Sequence, residues 1–248
     1  NQPVVVIDAG GTNFRVAVVT FRENSAEIAD YNVYPMPGSQ GTITKQEFFD
    51  TIVKWLIPVI EKSQTIGFCY SYPSKILPNM DGEFIEFNKQ VSVTGMQGVK
   101  LGEELNLALE KKGICKREIC VLNDTVASML GGISEYRSAD SYIALVLGTG
   151  FNICDIEETE NITKDKYAVS TKGKMAINME SGGFAYFPRG VMDKRMDSKT
   201  DDPDEFKFEK MIAGAYQGST FFEVVKQAAE DKIFSTKFTE KFEAVENL

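Results

Sequence analysis

The sequence contains no histidine, and this absence removes several kinds of chemistry at once. Serine hydrolase triads and cysteine–histidine pairs both need an imidazole as general base. Structural zinc sites commonly combine imidazole and thiolate ligands, so a zinc centre is not expected either. Any general-base step in this protein therefore falls to a carboxylate or to a lysine.

Further absences narrow the class of protein. The four cysteines form no C-x-x-C pair, which indicates reduced thiols in a cytoplasmic protein. No apolar run reaches the roughly 18 residues that a membrane span needs, and the N-terminus lacks a basic and apolar signal segment. The net charge of −9 argues against nucleic acid or an anionic membrane as the main partner. With 248 residues and 43% hydrophobic content, the chain can bury one large core or two smaller ones.

The first 20 residues predict a hairpin with a glycine-rich turn. Apolar residues 4–7 and 16–19 flank a polar segment, residues 8–15, that reads DAGGTNFR, and such an arrangement is typical of two paired strands. Adjacent glycines let backbone N–H groups approach a ligand, Thr12 adds a hydroxyl, and Asp8 stands where a cation could be held. The spacing matches neither a dinucleotide site nor a P-loop. The alternative is a hairpin turn that binds nothing.

The segments that follow predict alternating strands and helices. These are a strand at 26–34, a helix at 44–62 that kinks or ends near Pro58, a strand at 65–71, a helix at 100–112, a strand at 118–122 and a helical run at 221–229. Residues 74–98 are irregular apart from one short strand predicted at 84–87.

Asp124 stands at a junction between a strand and a helix. The strand ends at Leu122 and the helix is predicted to begin at Thr125 or Val126, and in open α/β sheets such a junction is where ligands bind. The alternative is that Asp124 is only the N-cap of that helix.

Residues 141–157 repeat the pattern of the first hairpin. An apolar run leads into Gly148, Thr149 and Gly150, followed by an asparagine and a second apolar run. Two such units in one chain indicate an internal duplication. We expect each unit to begin its own domain, with the two turns facing a nucleotide across a cleft.

Seven segments resemble, in the family's order, the motifs of the hexokinases within the actin-like ATPase superfamily. The resemblance runs from Val4 to about Gly218. Its segments are 8–15 (first phosphate motif), 67–73 (sugar contact), 87–89 (an aromatic, Thr and Lys in the family), 121–125 (the Asn-Asp-Thr block), 148–152 (second phosphate loop), and 177–180 and 208–212 (one sugar-binding glutamate each). Repressor-related bacterial sugar kinases share the Asp-x-Gly-Gly-Thr start, but they usually carry a Cys-rich zinc motif that is missing from this sequence.

The resemblance implies an α/β, two-domain actin-like ATPase fold, ribonuclease H-like, with mixed sheets flanked by helices and a central cleft. Residues 1–122 would form a small domain and residues 123–248 part of a large one, with a hinge near residues 122–125. It further implies a bacterial hexokinase that is cytoplasmic, is a monomer or homodimer, and binds neither nucleic acid nor membrane.

The same resemblance implies ATP-dependent phosphorylation of the 6-hydroxyl of a glucose-like hexose, with ATP and Mg²⁺ bound. Catalysis would fall to Asp124, as general base, and to Lys89. The sugar would be bound by Ser71, Asn88, Lys89, Asn123, Asp124, Asn152, Glu180 and Glu209. The phosphates would be held by Asp8, Gly10, Gly11, Thr12, Asn13, Arg15, Gly148, Thr149 and Gly150, and Mg²⁺ by Asp8 and Asp124, partly through water.

The sequence also departs from the family pattern. Asn88 replaces a threonine, Tyr72 replaces a phenylalanine, and residues 181–184 read SGGF where the family has Trp-Gly-Ala-Phe. Family members continue with a glycine-rich segment that holds adenosine, so we expect this chain to be truncated and weak or inactive, and its parent to be a kinase. Two alternatives stay open: a non-catalytic, hexokinase-like sugar-binding or regulatory protein, and an actin-like ATPase, which needs neither the sugar-contact segment nor paired glutamates.

Overall fold

The computed structural model describes residues 2–22, 25–87, 91–136, 138–164 and 172–246. The chain divides into two compact units. Unit 1 comprises Asn1–Ala144 and Ile156–Ala176, and unit 2 comprises Leu145–Asp155 and Ile177–Leu248. Among the described residues, no helix combines the length and the apolar character that crossing a membrane requires.

The described elements alternate between strands and helices along most of the chain. The strands are β1 (Val4–Ala9), β2 (Asn13–Phe21), β3 (Ala26–Pro35), β4 (Ile43–Thr44), β5 (Thr65–Tyr70), β6 (Ser74–Ile76), β7 (Gly82–Phe84), β8 (Val93–Thr94), β9 (Glu118–Leu122), β10 (Ile143–Leu147), β11 (Phe151–Glu158) and β12 (Lys174–Asn178). The helices are α1 (Lys45–Leu56), α2 (Leu101–Lys111), α3 (Asp124–Glu135), α4 (Val191–Asp197), α5 (Lys207–Ile212), α6 (Gly214–Glu230) and α7 (Thr236–Glu246), with short 3₁₀ turns at Ile60–Lys62, Thr159–Asn161 and Ser181–Gly183.

Unit 1 is built on a five-stranded mixed sheet in the order β3-β2-β1-β5-β9. Strand β2 is antiparallel to β1 and β3, whereas β1, β5 and β9 run parallel to one another. Side chains alternate along β1, and Val5, Ile7 and Ala9 are fully buried on one face. Helix α1 packs into the same core with Phe48 and Ile52, and burying these side chains is the main favourable contribution to folding.

Local capping explains where the predicted helices begin. The Thr44 side chain accepts a hydrogen bond from the Glu47 N–H, and the Glu47 carboxylate accepts one from the Thr44 N–H, which together form a capping box at the start of α1. The Thr44 N–H and then the Thr44 hydroxyl, which both donate to the Glu47 carboxylate, lower the pKa of Glu47. The helix ends at Leu56, before Pro58, so the predicted end of this helix is confirmed.

The predicted short strand at 84–87 is wrong in its bounds. Strand β7 ends at Phe84 and pairs antiparallel with β6, in a register that places Ser74 opposite Phe84. Because each strand is only three residues long, neither carries enough alternation to be recognised from sequence. The predicted strands at 26–34, 65–71 and 118–122 are confirmed as β3, β5 and β9, with ends that differ by at most one residue.

The second predicted hairpin is also present. Strands β10 and β11 are neighbours in a three-stranded sheet of order β10-β11-β12, and residues 148–150 form the turn between them. In unit 2, helices α4, α5 and α6 pack against one another.

Candidate functional site

In unit 1, the predicted site residues gather at one edge of the five-stranded sheet. Strands β1, β5 and β9 are parallel, so their carboxyl ends meet at the same edge. Asp8 lies opposite Cys69 in the register of β1 and β5, and Cys69 lies opposite Leu122 in the register of β5 and β9. Asp124 follows two residues after the end of β9. The sheet register therefore brings Asp8 and Asp124 to one side of the unit.

Both carboxylates affect the pKa of the Cys69 thiol. Burial raises its pKa, and the negative charges of Asp8 and Asp124 raise the pKa further. The thiol therefore stays protonated at neutral pH and is not a nucleophile or a metal ligand. The register of β1, β5 and β9, which brings Asp8 and Asp124 to the same edge of the sheet, is the observation that places the two carboxylates in one candidate site.

The first glycine turn, residues 10–13, is tightly closed. The Gly10 N–H donates to the Asn13 carbonyl at 3.0 Å, and a Cβ on Gly10 would lie 3.2 Å from that oxygen. The buried Tyr72 hydroxyl donates to the Gly10 carbonyl at 3.0 Å and to the Gly11 carbonyl at 3.4 Å. Within the described part of the chain, the N–H groups of Gly11 and Thr12 have no backbone or side-chain acceptor. The turn thus presents two free donors of the kind that bind phosphate oxygens.

Arg15 pairs directly with Asp8. The Arg15 Nη1 lies 2.6 Å from the Asp8 Oδ2, and both side chains are about one-third exposed. The hydrogen bond to Asp8 raises the pKa of Arg15. The guanidinium predicted to bind phosphate is therefore held beside the same turn, next to the carboxylate predicted to hold the metal.

Asn123, and not Asp124, caps helix α3. The Asn123 Oδ1 accepts a hydrogen bond from the Thr125 N–H at 2.8 Å, which is the usual N-cap contact. The alternative that Asp124 serves only as the N-cap is therefore wrong. Asp124 is the first residue of the helix, and its Oδ1 accepts from the buried Thr125 hydroxyl at 3.2 Å.

In unit 2, the second glycine turn, residues 148–151, is in contact with Glu209. The Glu209 Oε2 accepts a hydrogen bond from the Phe151 N–H at 2.7 Å. A Cβ on Gly150 would lie 2.7 Å from that same oxygen, so a residue larger than glycine would force the carboxylate away. The Gly148 N–H donates to the Gly150 carbonyl at 2.9 Å and closes the turn.

Asn152 and Glu180 are linked through Asn178. The Asn152 amide donates to the Asn178 Oδ1 at 2.5 Å, and the Asn178 amide donates to the Glu180 Oε1 at 2.7 Å. Glu180 adopts a left-handed backbone with φ 49°, which is uncommon for a residue with a side chain. Sequence reasoning missed the role of Asn178, although the residue stands in the segment 177–180 that resembles a sugar-binding motif.

The remaining predicted residues divide into two groups. Ser71 lies directly after β5, and its N–H donates to the Ala9 carbonyl at 3.1 Å. Asn88 and Lys89 lie outside the described residues. Over the described ranges, no group of three or more His, Cys, Asp or Glu side chains could hold a metal. Those predicted site residues that the structure describes thus form one set at the sheet edge of unit 1 and a second set around the glycine turn of unit 2.

Comparison with known proteins identifies what this arrangement is similar to. Two family models, each described as Hexokinase, match residues 3–133 and 142–247. Hexokinase-1 of Spinacia oleracea is 31% identical over 91% of this chain and 48% of its own length. Hexokinase-3 of Arabidopsis thaliana is 29% identical over 90% of this chain and 47% of its own length. The chain spans about half the length of the curated relatives it matches.

Two solved structures share the fold. A hexokinase from Schistosoma mansoni complexed with glucose matches with a TM-score of 0.78 and 26% identity, over 94% of this chain and 54% of that chain. A second crystal structure, described as a hexokinase, matches with a TM-score of 0.66 and 19% identity, over 87% of this chain and 50% of that chain. The predicted α/β, actin-like ATPase fold class is confirmed.

Proposed function

The chain belongs to the hexokinase family, and on that premise we propose that the whole protein transfers the terminal phosphoryl group of ATP to the 6-hydroxyl of a glucose-like hexose. The observation that carries the proposal is the position of Asp8 and Asp124 at the same edge of the five-stranded sheet, where the parallel strands β1, β5 and β9 end. Phosphoryl transfer needs mainly positioning and charge stabilisation, and this edge offers a carboxylate beside a turn with free N–H donors.

In this proposal Asp124 is the general base. Its carboxylate, at the start of α3, would accept the proton of the sugar hydroxyl. As the hexose 6-oxygen forms its bond to the terminal phosphorus, the hydroxyl proton passes to Asp124 and the bond to the leaving ADP breaks. Lys89 would stabilise the charge on the transferring phosphoryl group.

The two glycine turns would bind the phosphates of ATP. The free N–H groups of Gly11 and Thr12 and the guanidinium of Arg15 are suitable donors for phosphate oxygens. Asp8 and Asp124 are a suitable donor pair for Mg²⁺, which prefers one or two carboxylates with the remaining positions filled by water and substrate phosphates. The ion would supply neutralisation of the polyphosphate charge.

Amide and carboxylate side chains would bind the sugar hydroxyls. The chain of hydrogen bonds through Asn152, Asn178 and Glu180 fixes groups that accept and donate to neighbouring hydroxyls of a hexose. Asn123 and Glu209 supply one further amide and one further carboxylate, and Ser71 and Asn88 complete the predicted set.

A non-catalytic sugar-binding protein is the second candidate. The network in unit 2 binds hydroxyls through amide and carboxylate groups and needs no general base. In a protein that binds sugar without phosphoryl transfer, this network would keep its role, whereas Asp124 would bind the sugar without acting as a base.

We also infer the partners and the setting of the protein. The substrate is a hexose, the protein is a monomer or homodimer, and it acts in the cytoplasm. None of the four cysteines, all of which lie within the described residues, forms a disulfide bond, which suits a reducing compartment. Two of the relatives are named as chloroplastic forms, so localisation of the tagged whole protein is the check.

The test of this function is a coupled assay on the whole protein with ATP and glucose, fructose or mannose. We expect ADP formation that depends on the hexose and on Mg²⁺, and ³¹P NMR of the product should identify a 6-phosphate. Hexose binding by calorimetry without any ADP formation would replace this function with the non-catalytic one. Neither binding nor turnover with any of the three sugars would contradict both.

A further inference from the structure

A short segment of unit 2 makes three hydrogen bonds to the second glycine turn. Besides the contact between Glu209 and Phe151, the Gly214 N–H donates to the Gly148 carbonyl at 2.8 Å and the Ala215 N–H donates to the Thr149 carbonyl at 3.2 Å. All three contacts come from residues 209–215, at the junction of α5 and α6. The position of this junction therefore decides the position of the turn.

The side chain next to Glu209 is the most deeply buried charged group among the described residues of unit 2. Lys210 is 1% exposed, and its Nζ lies 2.8 Å from the Asp197 Oδ1. The same ammonium donates to the Thr200 hydroxyl at 2.9 Å and contacts the Asp202 carboxylate at 2.9 Å and the Asp202 carbonyl at 2.6 Å. An ammonium that is fully hydrogen-bonded in a buried position tolerates little movement.

Asp197 is held as firmly as its partner. Its Oδ2 accepts from the Arg189 guanidinium at 2.5 Å, and both of its oxygens accept from the Asp204 N–H, at 3.3 and 3.2 Å. Asp197 is the last residue of α4, so the pair with Lys210 ties the end of α4 to α5.

The loop between α4 and α5 contains strained backbone, and the ion pair of Asp197 and Lys210 joins the two ends of this loop. Asp204 and Phe206 both have positive φ angles, of 68° and 46°. Residues with a side chain adopt such angles only when their surroundings hold them there. The hydrogen bond from the Asp204 N–H to Asp197 and the ion pair of Lys210 supply that restraint on either side of Phe206.

We propose that Lys210 and Asp197 are positioning residues: their buried ion pair fixes α5 so that Glu209 holds Phe151 and sets the geometry of the second glycine turn. Neither side chain needs to touch a substrate. The consequence for sugar and phosphate binding rests on the proposed function, whereas the consequence for the turn itself does not.

Hydrogen exchange of the Phe151 amide tests the proposal directly. The substitution Lys210→Met removes the charge and keeps the length of the side chain. Because a hydrogen bond to a charged acceptor is being loosened, we expect the Phe151 amide to exchange about tenfold faster, with an unchanged circular dichroism spectrum. The matched control is Lys207→Met, on the same helix, whose ammonium contacts only the exposed Asp204 carboxylate, and here the exchange rate should stay within about twofold. An unchanged rate in Lys210→Met would overturn the proposal.

Milder variants keep the test decisive if Lys210→Met does not fold. Thr200→Val and Asp202→Asn each remove one contact to Lys210 at 2.9 Å. Each should accelerate exchange of the Phe151 amide by a smaller factor, and no acceleration in either would overturn the proposal as well.

Kinetics of the whole protein provide a second readout. Loss of positioning should raise the hexose KM of Lys210→Met more than it lowers kcat, because Glu209 is displaced in every molecule. A purely structural role would lower kcat in proportion to the folded fraction and leave KM unchanged. If the wild-type protein phosphorylates no hexose, the proposed function fails while the exchange measurement still decides this inference.

Discussion

Two neighbouring tyrosines of unit 1 are both buried but differ in what their hydroxyls contact. Tyr72 donates to the carbonyls of the first glycine turn, whereas the Tyr70 hydroxyl has no hydrogen-bond partner within the described residues. Burial raises the pKa of both side chains, so both are neutral at physiological pH. Tyr72 is therefore the one of the two tyrosines that stabilises the first glycine turn by hydrogen bonding.

Tyr72→Phe should lower the free energy of unfolding by about 1 kcal/mol, because it leaves the turn carbonyls without their donor. Tyr70→Phe is the matched control, since it removes a buried hydroxyl that makes no hydrogen bond, and it should be neutral or slightly stabilising. Urea denaturation of both variants measures the difference. Equal effects from the two substitutions would contradict the role given to Tyr72.

The buried pair of Asp197 and Lys210 makes stability depend on pH with a defined sign. Burial alone would raise the pKa of Asp197, but the hydrogen bonds from Lys210 and Arg189 outweigh it, and the pKa lies below its ordinary 3.8. Burial alone would lower the pKa of Lys210, but its hydrogen bonds to Asp197 and Asp202 raise the pKa above its ordinary 10.5. The stabilisation from Asp197 is thus complete above its unfolded pKa and is lost as the pH falls through the lower folded value.

We predict from this that Asp197→Asn costs about 3 kcal/mol at neutral pH, because it removes the buried carboxylate that pairs with both Lys210 and Arg189. The difference from wild type should be flat between about pH 5 and pH 10 and should shrink below about pH 4. Asp201→Asn, which changes an exposed carboxylate nearby, should change stability by less than about 0.5 kcal/mol. A difference for Asp197→Asn that stays constant down to about pH 2 would contradict the assignment.

At the scale of single elements, the start of α3 has two separable roles. Asn123 caps the helix through its side-chain oxygen, and its amide is proposed to bind the sugar. Asn123→Ala should remove both, with a loss of about 1 kcal/mol in stability, because an N-terminal N–H group loses its acceptor. Asn123→Ser should keep the cap and the stability but raise the hexose KM.

Thermal or urea denaturation together with steady-state kinetics separates the two roles. If Asn123→Ser kept the wild-type hexose KM, Asn123 would be a structural cap only. If Asn123→Ala were as stable as wild type, the hydrogen bond from the Thr125 N–H to Asn123 would make no net contribution to stability.

The elements that sequence predicts well are those whose signals are local. Helix α1 carries its capping box and a following proline within 15 residues, and strands β5 and β9 of the main sheet are mostly apolar. Strand β7 is wrong in its predicted bounds because it is only three residues long and pairs with an equally short neighbour, β6, so neither strand carries a clear alternating pattern. The ion pair of Lys210 with Asp197, next to Glu209, could not be predicted from the sequence. The two residues come together because the loop between them turns at Asp204 and Phe206, which adopt left-handed backbone angles.

At the scale of the whole molecule, the proposed function requires water to be excluded when the sugar is bound. We expect hexose binding to close residues 1–122 on the rest of the protein about residues 122–125, since a bound nucleotide would otherwise be hydrolysed. Small-angle X-ray scattering of the whole protein should give a smaller radius of gyration with glucose than without it. Sorbitol, an open-chain polyol, is the control and should cause no change. The same radius with and without glucose would count against closure.

The central claim is that Asp124 removes the proton of the sugar hydroxyl as phosphoryl transfer occurs. The most direct measurement is the single-turnover rate of the whole protein with Asp124→Asn, alongside its hexose affinity by calorimetry. Because the substitution keeps a polar side chain of the same size and removes only the base, we expect hexose affinity within a few-fold of wild type and a transfer rate lower by about 10²- to 10⁴-fold. Wild-type single-turnover rates in Asp124→Asn would contradict the account.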